Sequence, residues 1–280
     1  MQTLKWSLIF IKFQLSTDNG GVFMNIGIAQ MDIKWEDIYN NMNKVESFVE
    51  KAHEKKVETL FFPEMSLTGF TMDISAHTFS KEEILNWLKK IALKYNMNIG
   101  LGFGILLGEK ASNEYVIVTN QGECIADYSK IHPFSYDGED KKYCKGNDIV
   151  ICTIGELNIT PFICYDLRFP EIFQIASKKS DLIVVAANWP KKREKHWITL
   201  LTARAIENQC YIAGINRVGR GNGVYYNGAS LIIDPEGNVL NNISNDEELL
   251  IYQISRNKVI DIRKNFNLKK DRRENLYRIY

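Results

Sequence analysis

Cysteine is scarce and badly placed for cross-linking: the 280-residue chain has five, an odd number at irregular spacing, with no close Cys-x-x-Cys pair. That argues against a disulfide framework and suits a reducing cytoplasm, the expected location. It also weakens the one zinc site that can be drawn, from Cys144, Cys152, Cys164 and His132, because most structural sites use such pairs. Charge of one sign is missing as well. With 35 Lys+Arg against 34 Asp+Glu, neither nucleic acid nor an anionic membrane is favoured as a partner. No apolar run is long enough to span a bilayer: Leu8 to Leu15 is short, is broken by Lys12, and is followed by no small-residue cleavage site. There is no short-period repeat and no low-complexity stretch. The glycine cluster at Gly219 to Gly223 has neither dinucleotide spacing between strand and helix nor a Walker lysine, so phosphate binding is a weak reading.

What is present is a chain that is 45% hydrophobic, enough for one full core. A clean strand pattern begins at Met24-Asn25-Ile26. The folded domain is expected to span residues 24–262, with 1–23 an upstream extension outside the fold. Residues 263–280 form a charged tail expected to wrap over the surface or reach a partner subunit. Strands are predicted at 25–32, 59–62, 98–107, 114–119, 123–128, 149–154, 158–163, 181–187, 211–215 and 249–254. The pair at 114–119 and 123–128 flanks Asn120-Gln121-Gly122 as a hairpin, and a second hairpin turns at Pro235-Glu236-Gly237-Asn238. Apolar stripes at Trp35, Ile38, Met42, Val45, Phe48, Val49 and Ala52, at Ile84 to Ile91, and across 197–208 predict helices. Hairpins mixed with βαβ-like crossovers point to layered α/β with mixed sheets.

Three reactive side chains share one structural address. Glu64, Lys130 and Cys164 each follow directly on a predicted strand, and strands that run alike bring their carboxyl ends together. Singly, each has a plainer reading: cysteine packs as a small hydrophobe, and Glu and Lys usually face solvent. Together they make a thiol nucleophile, a general base in Glu64, and a fixed positive charge in Lys130 for the oxyanion. The N–H of Tyr165, next after the thiol, is placed to be a second donor. The chemistry requires no cofactor and no metal. His132 reads as a loop histidine bonded locally, and nothing favours a Cys-His dyad with His53, His77, His132 or His196. Glu139, in the long polar loop 135–148, reads first as solvated and second as a further acid lining the pocket. Asp166 and Arg168 pair with each other or brace the turn after the thiol. Asn188 and Trp189, past a strand end, are candidates for the pocket wall.

Phe62-Pro63-Glu64-Met65, Tyr128-Ser129-Lys130-Ile131-His132 and Cys164-Tyr165-Asp166-Leu167-Arg168-Phe169-Pro170-Glu171 resemble, in order and separation, the three signature segments of the nitrilase superfamily of carbon–nitrogen hydrolases. The likeness runs from Met24 to about Tyr252. It implies a four-layer αββα sandwich, a homodimer or larger homo-oligomer, and a Glu-Lys-Cys triad falling on Glu64, Lys130 and Cys164. A second, substrate-orienting glutamate of that superfamily falls on Glu139. Ala187-Asn188-Trp189-Pro190, His196-Trp197, the run 203–209 and Asn216-Arg217-Val218-Gly219 look most like the bacterial ω-amidase branch. That branch hydrolyses the terminal amide of 2-oxoglutaramate and 2-oxosuccinamate to an oxo acid and ammonia. Nitrile, carbamoyl-amine and deaminated-glutathione hydrolysis share the triad and remain alternatives, as does a non-enzymatic scaffold binding a partner protein through the tail. A small dicarboxylate-like substrate calls for a cation in the pocket, from Arg168 or Arg217.

Overall fold

The protein is described from a computed structural model covering residues 23–277. The expected upstream extension, apart from Phe23, lies outside the described residues. In chain order the elements are β1 (Phe23–Gln30), α1 (Ile38–Glu54), β2 (Thr59–Phe61), α2 (Lys81–Tyr95), β3 (Asn98–Leu107), β4 (Lys110–Val118), β5 (Cys124–Ser129), α3 (Glu139–Lys142), β6 (Cys152–Ile154), β7 (Leu157–Ile163) and α4 (Pro170–Ala176). They continue with β8 (Leu182–Ala187), α5 (Glu194–Asn208), β9 (Tyr211–Asn216), β10 (Val218–Gly221), β11 (Val224–Asn227), β12 (Leu231–Ile233), β13 (Glu248–Ser255), α6 (Arg256–Asn265) and α7 (Glu274–Tyr277).

Two sheets pack face to face. One has the order β13-β1-β2-β3-β4-β5 and the other β12-β9-β8-β7-β6. Ile26, Ile28, Phe61, Tyr115, Ile117 and Tyr128 from the first meet Ile159 and Ile163 from the second in one continuous core. Outside the first sheet, Val45, Phe48, Val49, Ile84 and Leu88 of α1 and α2 pack on Leu60, Ile99 and Val116. Outside the second lie α4 and α5, which join the same core through Phe173, Trp197 and Leu201. The order is helix, sheet, sheet, helix, as the αββα expectation states. Strand β8 is buried along its whole length between parallel neighbours β7 and β9, which explains its unbroken apolar run. Helices α1 and α2 begin where the sequence offers caps. The Asp37 side chain accepts from Asn40 N–H, and Ser80 with Glu83 forms a capping box. Trp35 therefore stands before the cap of α1 instead of on its stripe.

Other differences from the sequence reading have local causes. Strands β3 and β4 form a hairpin around Gly108 in register from Ile99–Val118 to Leu107–Lys110. This extends the fourth strand back over polar residues that had hidden it. The glycine cluster is the tip of the β10–β11 hairpin, not an open loop. The turn at Asp234 to Asn238 forms, held by the Asp234 carboxylate, which accepts from the N–H groups of Glu236 and Asn238. Its return arm makes an isolated bridge from Val239 to Ile233, with Leu240 N–H donating to Ile232 O, and β12 pairs with β9. The charged tail begins in the last turn of α6: Arg263 donates to Ser180 O and Gln209 O, and Arg272 to Gln174, so the described part of it lies against the ends of α4 and α5.

Candidate active site

Strands β2 and β5 are parallel to β3 directly and through β4, so the turn after β2 and the end of β5 point the same way. The first carries Glu64 and the second Lys130. The close approach of the Glu64 turn depends on Gly102 of β3, where a Cβ would stand 2.6 Å from Pro63 O and 2.8 Å from the Glu64 Cα. From the opposite sheet, β7 delivers Cys164 into a single 3-10 turn, Cys164–Arg168, before Pro170 opens α4. Cys164 has φ +46°, a left-handed conformation that costs a non-glycine residue free energy and is held by its surroundings. The holder is Asp166, fully buried. Its carboxylate accepts from Ile163 N–H at 3.0 Å, Tyr128 OH at 2.7 Å, His132 N–H at 3.0 Å and His132 Nδ1 at 2.8 Å. Asp166 thus braces the turn and does not pair with Arg168. His132, expected to bond locally, reaches across to Asp166 and stacks on Phe169 at 3.8 Å.

Glu64, Lys130 and Glu139 form one buried cluster, exposed by 0, 1 and 0%. The Lys130 ammonium donates to Glu64 Oε1 at 2.9 Å and to Glu139 Oε1 and Oε2 at 3.0 and 2.8 Å. Burial alone would lower the Lys130 pKa, but Glu139 and Glu64 outweigh it and hold the group charged. Burial raises the Glu139 carboxyl, against the pull of Lys130. Of the two readings of Glu139, solvated or lining the pocket, the structure has the second. It is folded inward by α3 and by the Phe134 N–H that it accepts. Asn113, which the sequence reading passed over, sits at 1% exposure and donates from Nδ2 to Glu64 Oε1 and Glu139 Oε1.

These groups close the floor of a cavity of about 360 Å³ lined by Lys130, Cys164, Tyr165, Asn188 and Trp189 among others. Burial, then the neighbouring Glu64, push the Cys164 thiol well above its ordinary pKa, so the resting sulfur is protonated. Asn188 N–H donates to Glu64 Oε2 at 2.8 Å, and Asn188 lines the cavity together with Cys164. The walls come from segments whose sequence gave little signal: Trp35, Phe70, Phe134 and the β10–β11 hairpin with Tyr226. Of the two candidate arginines, Arg168 lines the cavity. It lies over the Trp189 ring at 4.8 Å, and burial, then the like charge of Arg193, lower its pKa, as expected of a cation without a full counter-charge. Arg217 is fully buried elsewhere. It donates to the carbonyls of Ile33, Val218 and Arg220, lies 4.7 Å over Tyr226, and so fastens the hairpin wall instead of facing the void.

The family model described as "Carbon-nitrogen hydrolase" matches residues 25–264. The chain belongs to the carbon–nitrogen hydrolases. Such an enzyme cuts non-peptide C–N bonds, which sets aside the scaffold reading. This hydrolase is 35% identical over 217 residues to omega-amidase YafV of Yersinia enterocolitica, covering 77% of this chain and 83% of that one. It is 32% identical over 257 residues to 2-oxoglutaramate amidase of Bacillus subtilis, covering 90% and 98%. Among solved structures, XC1258 of Xanthomonas campestris, a CN-hydrolase superfamily protein with an arsenic adduct in its active site, superposes with TM-score 0.83 at 26% identity, covering 90% of this chain and 97% of that one. An amidase of the nitrilase superfamily from Nesterenkonia shares the fold, with TM-score 0.83 at 22% identity over 93% and 98% of the two chains. Among the described residues no helix is long and apolar enough to cross a membrane.

Proposed function

We propose that this hydrolase cleaves the terminal amide of a small oxo acid, 2-oxoglutaramate or 2-oxosuccinamate, to the oxo acid and ammonia through a thioester on Cys164. The observation that carries the reading is that one cavity floor brings a protonated thiol, a buried carboxylate and a permanently charged ammonium together. The similarity to an omega-amidase and to a 2-oxoglutaramate amidase supports the substrate. Arg168 in the wall offers its carboxylate a cation.

Glu64 takes the thiol proton as the sulfur attacks the amide carbon. All three ammonium hydrogens of Lys130 are directed at carboxylates in the resting site. Protonation of Glu64 weakens its hold on one of them, which then turns to the new oxyanion. The Tyr165 N–H is the second donor. Glu64 returns the proton to the departing ammonia and then takes one from water, whose oxygen attacks the thioester; as the acid leaves, Glu64 hands this second proton to the sulfur and restores the thiol. Glu139 keeps Lys130 in place throughout and orients the substrate, while Asn188 and Trp189 bound the pocket. No cofactor enters the cycle.

The same reading takes residues 24–262 as the hydrolase domain, and the protein as a cytoplasmic homodimer or larger homo-oligomer. Five free cysteines fit a reducing compartment. The test is ammonia release by the purified protein across oxo-acid amides, nitriles and carbamoyl amines, with Cys164→Ala in parallel. The oxo-acid amides should be turned over fastest and the variant should be inactive. Preference for a nitrile or carbamoyl amine removes the substrate assignment, and ammonia release by the variant removes the mechanism.

A further inference from the structure

Asn113 stands on β4 between the two carboxylates, nearly without exposure. One hydrogen of its amide goes to Glu64 Oε1 at 2.8 Å and the other to Glu139 Oε1 at 3.1 Å. Its Oδ1 is buried with no partner, yet the amide cannot turn over. The turned form would aim Oδ1 at two carboxylate oxygens and leave both without a donor. A buried acceptor is left unsatisfied to keep this orientation, and such a cost marks a constrained site.

The consequence lies in the lone pairs of Glu64. Oε1 accepts from Lys130 Nζ at 2.9 Å and from Asn113 Nδ2 at 2.8 Å, which fills both of its acceptor directions. Oε2 accepts one short bond, from Asn188 N–H at 2.8 Å, and a long one from Asn188 Nδ2 at 3.4 Å. Asn188, which bonds Oε2 through backbone and side chain, lines the cavity with Cys164, whereas Asn113 on Oε1 is buried behind it, so Oε2 is the oxygen on the thiol side.

We propose that Asn113 is a positioning residue for the reaction: it occupies Glu64 Oε1 and ties the two carboxylates together, leaving Oε2 as the atom that takes the Cys164 proton. The inference rests on Glu64 being the base. Only a primary amide puts two hydrogens on one neutral nitrogen. A hydroxyl in its place serves a single carboxylate, and an aspartate adds a third negative charge to the cluster.

The test is the pH profile of kcat/KM for ammonia release in Asn113→Ala and Asn113→Ser, with Glu64→Gln measured alongside. Loss of donors to the ionised carboxylates should move the acidic limb up by roughly one pH unit in the alanine variant. The serine variant, which keeps one donor, should move it less. The neutral-pH rate should drop about tenfold where the limb has moved past the assay pH. A rate loss with the limb at its wild-type position means Asn113 only supports the fold, and overturns the proposal; so does a wild-type profile. If the alanine variant fails to fold, the serine variant carries the test alone. Glu64→Gln with wild-type rate and limb breaks the base assignment itself. Glu64→Gln inactive with both Asn113 variants unshifted breaks only the role given to Asn113.

Discussion

The phenol of Tyr128 donates to the Asp166 carboxylate at 2.7 Å, joining the last strand of one sheet to the turn that carries Cys164 on the other. Burial, then the neighbouring Asp166, raise the Tyr128 pKa far above its ordinary value, so the phenol stays a donor at every working pH. Tyr128→Phe leaves the ring and removes this bond. We expect about 1.5–3 kcal/mol of lost stability, the range for a hydrogen bond to a charged group, seen as a lower urea midpoint. A fall in kcat should accompany it, because the turn that positions the sulfur loses its link to β5. An unchanged midpoint would show that the other donors to Asp166 suffice.

The left-handed backbone at Cys164 gives a prediction separable from loss of the thiol. Cys164→Ala keeps a Cβ at φ +46°, whereas Cys164→Gly relieves it. Relief of about 1–3 kcal/mol is partly offset by the greater freedom of glycine in the unfolded chain, roughly 0.5–1 kcal/mol. The glycine variant should therefore melt at or above the alanine variant, with neither releasing ammonia. A glycine variant that melts clearly lower would mean the turn stores no strain.

Lys130→Met leaves two buried carboxylates with no ammonium. Breaking a buried pair from one side typically costs about 3–5 kcal/mol, and loss of the oxyanion charge should cut turnover by about a hundredfold or more. The pH dependence has a definite sign. Burial already raises the Glu139 pKa against the pull of Lys130, and without Lys130 the shift grows. The folded variant then binds more protons than the unfolded chain, so its stability is greatest below the ordinary carboxylate pKa and falls as pH rises through the raised folded value. Urea midpoints of variant and wild type should converge toward about pH 4–5 and separate near neutrality. A gap independent of pH would place the damage outside the carboxylates.

Arg168→Met keeps much of the apolar stem over Trp189 and removes the charge. For an oxo-acid amide, KM should rise about tenfold or more with kcat nearly kept, since the distant carboxylate is bound alike in ground and transition states. A neutral amide should be indifferent to the change. An equal effect on both substrates would show that Arg168 shapes the wall without meeting an anion.

The sequence exposes those parts of the site whose chemistry coincides with a strand end. Glu64, Lys130 and Cys164 could be picked out because each follows directly on a predicted strand. For Glu139 the residue pattern left solvent and pocket both open, because a charged loop looks the same whether its carboxylate faces out or is turned in by a four-residue helix, and only the resemblance put it at the site. Asn113 left no trace, since one polar residue before an apolar strand reads as the end of a loop. Trp35 fitted a helical spacing by coincidence and belongs to the cavity wall. Arg217 showed a charge but not its direction, and the carbonyls that claim it lie on the adjoining strand β10 and on a segment 184 residues away. Long-range partners of this kind are set by packing, and no local pattern carries them.

The thiol rides on one sheet, while the carboxylate and the ammonium ride on the other. Neither half of the sandwich holds a working set by itself. During refolding, recovery of ammonia release should trail the return of secondary structure and keep time with the closing of the two sheets, so that turnover itself becomes a clock for their docking.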